Sequence, residues 1–156
     1  MTYNRQRAVE YARLWALRRN PDYYNFDKIG GDCTNFVSQC IFAGSGKMNY
    51  ERVFGWYYTD LNNRSPSWTG VNFLYKFLVN NKSTGPYAEI TDFDGAEIGD
   101  IIQLDMGNGY VHSLIITKKE PSEVFVAAHT FDCIDRALSD YSYETARFLH
   151  IKGVRI

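Results

Sequence analysis

Residues 24–46, YNFDKIGGDCTNFVSQCIFAGSG, hold the turn from which the rest of the chain is read. Gly30-Gly31 permits a sharp bend, because glycine enters left-handed conformations that other residues resist. The run behind it, with Phe36, Val37, Cys40 and Ile41, predicts a helix from Cys33 to about Ala43, with Asp32 as N-cap and Gly44 just past the end. Cys33 then sits in the first turn. A helix start carries partial positive charge and unpaired N–H groups, which lower a thiol pKa and favour the nucleophilic thiolate.

Upstream, Ala8, Val9, Tyr11, Ala12, Trp15 and Ala16 recur at three- and four-residue spacing against Arg5, Arg7, Glu10, Arg13 and Arg18, an amphipathic helix over 4–19 stopped at Asn20-Pro21. Downstream, 44–66 is loop-like and aromatic. A third helix is predicted over 69–80, with Val71, Leu74, Tyr75 and Leu78 on one side. After Pro86 come four short segments rich in β-branched and aromatic residues, 98–104, 111–117, 124–129 and 148–156. Helices first and strands after argue for an α+β fold, N-terminal helices packed on a C-terminal antiparallel sheet. No linker or repeat divides the chain, so 1–156 reads as a single domain.

Lys and Arg number 17 against 18 Asp and Glu, scattered along the chain, so charge draws neither nucleic acid nor an anionic membrane. No apolar run approaches the roughly 20 residues that span a bilayer, and the first helix is too polar for a signal peptide. The expected location is therefore the cytoplasm, or the chain is a domain cut from an exported cell-wall protein. Composition does not address the oligomeric state. Three cysteines make no disulfide framework, and Cys33 and Cys40, two turns apart on one helix, do not pair.

Two histidines flank a hairpin. If the 112–117 and 124–129 strands are symmetric about the Glu120–Pro121 bond, Leu114 faces Ala127, Ile116 faces Phe125, and His112 lies directly opposite His129. A thiol, an imidazole and a second polar group orienting that imidazole make a nucleophile–base–orienter triad: Cys33, His112 and His129, with Asp132 or Asp135 as substitutes for the third role. The Cys33 backbone N–H is the simplest oxyanion donor, helped by Tyr23 or Tyr24. Zinc is the competing chemistry, since Cys33, Cys133, His112, His129, Asp132 and Asp135 are ligand types; no Cys-x-x-Cys or helical His pair supports it, and neither metal nor cofactor is expected. A non-catalytic binding module is a further alternative.

The segment 24–46 resembles the bacterial putative amidase domain, a relative of the NlpC-type and CHAP-type cell-wall hydrolases of the papain-like group. The resemblance extends through Gly99-Asp100, His112-Ser113 and Ala128-His129-Thr130. It implies a papain-like fold and a cysteine amidase or peptidase that cuts peptidoglycan stem peptides or related peptides through a thioester. An acyl transferase would use the same intermediate. It also implies that Cys33 is nucleophile, His112 base and His129 the third residue, and that Asp32 and Thr34 bind substrate. Asn35 stands where the NlpC pattern has glycine.

Overall fold

The N-terminal amphipathic segment forms helix α1 (Arg5–Trp15), whose N-cap Asn4 accepts a hydrogen bond from the Arg7 N–H. In the computed structural model, which describes residues 1–156, α1 packs on α2 (Cys33–Ser45). Helix α2 runs past Gly44 and ends at Gly46, whose φ of 65° supplies the left-handed cap. A small hairpin, β1 (Tyr58–Asp60) and β2 (Asn63–Arg64), precedes the one-turn α3 (Pro66–Thr69) and α4 (Val71–Asn80). Then come β3 (Gly85–Thr91), β4 (Ile101–Asp105), β5 (Tyr110–Glu120), β6 (Glu123–Ala128), β7 (Cys133–Ala137) and β8 (Thr145–Arg155). The fold is α+β, as the segregation of helical and strand patterns predicts. No helix is long and apolar enough to cross a membrane.

The six later strands form one antiparallel sheet in the order β3-β8-β4-β5-β6-β7. Side chains alternate between its faces. Ile101, Ile115, Ala127, Leu149 and Ile151 look toward the helices and join Phe36, Val37, Ile41, Trp56 and Trp68 in the larger core. Ile102, Leu104, Leu114, Ile116, Val126 and Ala128 look the other way, covered by Leu138 of a short 3₁₀ turn and by Tyr141 and Phe148. Burying indoles leaves N–H donors to satisfy: Trp56 donates to Ser38 Oγ (3.1 Å) and Trp68 to Asn35 Oδ1 (3.0 Å), both on α2. Helix α2, which carries Cys33, is thus held by polar as well as apolar contacts.

The β5–β6 register corrects the symmetric-hairpin expectation. Glu120 pairs with Glu123 across Pro121-Ser122, and a bulge between Ile116 and Lys118 shifts the ladder again, so Ile115 rather than Leu114 faces Ala127. A one-residue slip reverses the face of every later side chain. His112 and His129 therefore lie on opposite faces of the sheet.

Gly44 is where α2 comes closest to the N-terminal segment: a Cβ there would meet the Tyr3 ring at 2.5 Å and the Asn4 carbonyl oxygen at 2.8 Å. Alanine gains about 1 kcal/mol over glycine in a helix interior, but overpacking costs typically about 1–3 kcal/mol, and here one obstacle is backbone. Gly44→Ala should lower the denaturant midpoint of unfolding. A midpoint raised by the helix-propensity gain would show that the two segments are not in fixed contact.

Candidate active site

Cys33 sits where β5 and β6 part. β6 ends at Ala128, so the first residues of β5 have no partner on that side. Ile116 uses its N–H and C=O on the β4 side, bonding to Asp100 and Gly99; by alternation along an antiparallel strand, Ser113 points its own toward the vacated side. The Cys33 thiol occupies that position, facing the backbone N–H groups of Ser113 and Thr34 and lying 3.7 Å from Thr34 Oγ1. The nitrogen in question joins Ser113 to His112, which brings the sulfur to the main chain of the expected base.

Cys33 is 8% exposed. Burial pushes its thiol above the ordinary value, and the Asp32 carboxylate adds to the rise, against the opposing Ser113 and Thr34 donors. The lowered pKa expected from the helix start is therefore corrected: desolvation outweighs the helix end. The helix end itself is unusually bare. Its first internal bond runs from Phe36 N–H to the Asp32 carbonyl, and Asp32 occupies the N-cap position without its side chain capping anything. The N–H groups at the start of α2 thus have no partner within the helix.

His112 projects to the opposite face, with Leu114 and Ile116. Its ring lies 5.9 Å from that of Tyr141, over which the Arg136 guanidinium stacks at 4.0 Å. The Tyr141 hydroxyl lies 3.3 Å from the Cys133 sulfur. Burial, and then the Arg136 charge, lower the His112 pKa from 6.5 to about 4. Near neutral pH the pair is thus a thiol and a neutral imidazole, without a thiolate–imidazolium ion pair, and no hydrogen bond joins the two side chains. Tyr141 and Arg136 left no sequence signal, since a 3₁₀ turn and an edge strand bring them to His112.

His129 is not brought to His112. Its Nδ1 lies 2.5 Å from Asp32 Oδ2, its Nε2 lies 2.8 Å from the Trp15 carbonyl oxygen, and its ring stacks on Phe36 at 4.0 Å. Asp32 is 1% exposed and also accepts from Phe26 N–H (2.8 Å) and Asn35 Nδ2 (2.9 Å). Thr34, equally buried, shares a hydrogen bond with Ser113 (3.0 Å), which also receives the Gln103 side-chain amide (3.2 Å). Tyr23 packs between Tyr58 and Trp68, and burial holds its phenol up at about 12. Tyr24 is 38% exposed and takes part through its backbone, donating to the Tyr58 hydroxyl and accepting from Asn35. Asp132 is clasped by Arg19, and Asp135 by Arg13 and Thr117; neither contacts His112.

A cavity of about 550 Å³, bordered by Val53, Phe54, Phe73, Lys76 and Lys82, lies at the other end of α2 and contains none of these groups. Nowhere do three or more His, Cys, Asp or Glu side chains converge as metal ligands.

The family model described as putative amidase domain matches residues 2–151. Two proteins of Bacillus subtilis (strain 168) are similar. Uncharacterized protein YhbB is 33% identical over 135 residues, covering 83% of this chain and 42% of the relative; uncharacterized protein YjcM is 27% identical over 138 residues, covering 82% and 31%. The chain thus spans less than half the length of either relative. No solved structure matches.

The His112 environment fixes the sign of one pH effect. An unfolded imidazole takes its proton near pH 6.5 and the folded one only near 4, so between those values the unfolded chain binds the extra proton. The His112 contribution to stability is present above 6.5 and is lost as pH falls toward 4. Ring resonances followed by NMR should show a His112 midpoint below 5, and Arg136→Gln should raise it. A midpoint at or above 6.5 would contradict the burial and charge described.

Proposed function

The chain belongs to the putative amidase domain family, and from that premise we propose that it is a cysteine amidase of papain-like architecture, with Cys33 as nucleophile and His112 as general base. The observation that carries the reading is the Cys33 thiol at an uncapped helix start, against the peptide between His112 and Ser113.

The reaction follows from the two neutral groups. As the sulfur bonds to the amide carbonyl carbon, the thiol proton passes to His112 through one intervening water at the unpaired edge of β5, since the two side chains share no direct hydrogen bond, and no free thiolate accumulates beforehand. The carbonyl oxygen becomes an oxyanion next to the unpartnered N–H groups of α2, among them that of Cys33, where the helix end favours negative charge. Collapse breaks the C–N bond, and the His112 proton goes to the departing amine, leaving a thioester. Water, giving a proton to His112, then attacks the thioester; the acid leaves and the proton returns to sulfur.

A low His112 pKa keeps the imidazole able to accept a proton down to acidic pH. His129 acts indirectly: with Asp32 it holds the loop that precedes the nucleophile. The substrate we propose is a peptide amide of the cell-wall stem-peptide class, on the strength of the resemblance to NlpC-type and CHAP-type hydrolases.

Incubation with muropeptides and simple peptide amides, read by mass spectrometry, tests the reading. Amide cleavage is expected with the native chain, Cys33→Ala should reduce it at least about a thousand-fold, and His112→Ala about a hundred-fold or more. Retention of cleavage by Cys33→Ala would remove the thiol from the mechanism.

A further inference from the structure

Two loops border the nucleophile, and both hold apolar side chains in water. In the first, residues 26–32, Gly30 and Gly31 have φ of 80° and 95°, and Ile29 is 52% exposed. In the second, between β6 and β7, Thr130 and Phe131 have φ of 66° and 59°, and Phe131 is 87% exposed. Left-handed backbone is uncommon outside glycine and a real outlier for a β-branched threonine. Such strain persists only where surrounding contacts enforce it.

Those contacts are present. The Arg19 guanidinium bonds both oxygens of Asp132 (2.8 and 3.0 Å) in the second loop and Asp27 (3.0 Å) in the first, and its Nε lies 3.5 Å from Asp32. The loops touch at Gly31, where a Cβ would lie 3.6 Å from the Thr130 hydroxyl. His129, immediately before Thr130, is fastened to Asp32, immediately before Cys33. An exposed phenyl on a floppy loop has no meaning; here a pinned and strained turn keeps one exposed, on a loop that touches the one carrying Ile29.

We infer that Ile29 and Phe131 form a subsite for an apolar group flanking the scissile amide. The inference rests on the reading of Cys33 as nucleophile. Only Asp32 separates Gly31 from Cys33, which puts their Cα atoms at most about 7 Å apart, so a substrate carbonyl at the sulfur places its neighbouring side chain within reach of the loops. The rim's charges are balanced: Asp27, Asp32 and Asp132 face the Arg19 and His129 side chains, and Lys28 stands exposed between Asp27 and Ile29. An uncharged apolar neighbour is favoured, and a carboxylate-bearing one, which would lose water against two apolar side chains, is disfavoured.

Alkylation rates at Cys33, mapped by peptide mass spectrometry, test this without knowledge of the natural substrate. The probes are 2-chloroacetamide, N-benzyl-2-chloroacetamide and its 4-carboxybenzyl analogue, each normalised to its rate with glutathione. The benzyl reagent should be favoured over 2-chloroacetamide by about ten-fold, and the carboxybenzyl reagent should lose that advantage. In Ile29→Ser/Phe131→Asn the benzyl preference should vanish; asparagine tolerates the left-handed turn, and circular dichroism checks the fold. A reactive Cys33 with no benzyl preference, or a preference unchanged in the variant, overturns the subsite alone. A Cys33 that none of the three reagents modifies even at a pH high enough to ionise the buried thiol overturns the nucleophile reading and the subsite with it.

Discussion

The carboxylate of Asp32 collects partners from four places in the chain: the Phe26 N–H, the Asn35 amide in α2, His129 at the end of β6, and Arg19 beyond α1. Both His129 nitrogens face oxygen atoms, of Asp32 and of the Trp15 carbonyl, so the ring is held from both sides. Burying such a pair costs desolvation that its attraction only partly recovers, so its value lies more in uniqueness of structure than in net stability. Removing either partner alone would leave the other buried and uncompensated. The position of Cys33 therefore depends on a buried polar anchor immediately before it.

Burial first sets the electrostatics of the thiol, and the same anchor adds to it. Because the Asp32 side chain is turned inward, it leaves the start of α2 uncapped, yet its charge remains close enough to raise the thiol pKa. On the far face, Arg136 and burial keep His112 neutral. Burial thus dominates at both Cys33 and His112, with Asp32 adding to it at the first and Arg136 at the second. A protonated thiol is less open to adventitious oxidation than a standing thiolate.

The sequence made the helices around Cys33 and 71–80 legible because their apolar spacing and end signals agree, and β5 and β6 because β-branched residues concentrate there. β3 was not, since Pro86 and Glu89 interrupt its pattern, nor β7, a five-residue, half-exposed strand at the sheet edge. The reactive residue types at Cys33 and His112 could be picked out, but their relation could not. It turned on a two-residue turn at Pro121-Ser122 and a bulge near Thr117, neither of which periodicity detects. Arg19 and Tyr141 owe their roles to contacts 113 residues away in one case and to the sheet-edge packing of Arg136 in the other.

Asn35 shows how a departure from the NlpC-type pattern that the sequence resembles is resolved by accounting for hydrogen bonds. Where the NlpC pattern has glycine, a side chain would be expected to intrude on substrate beside the nucleophile. Its amide is instead spent inward: Nδ2 donates to the Tyr24 carbonyl (3.0 Å) and to Asp32 (2.9 Å), and Oδ1 accepts from the Trp68 indole (3.0 Å). At 1% exposure it takes no space from the solvent side of Cys33. The residue substitutes a bracket for an absence, tying the 24–26 backbone, the Asp32 anchor and the aromatic core to one turn of α2. A glycine there would leave the buried Trp68 N–H unpaired, at a cost of about 1–3 kcal/mol, so in this chain the side chain belongs to the scaffold that orients the thiol.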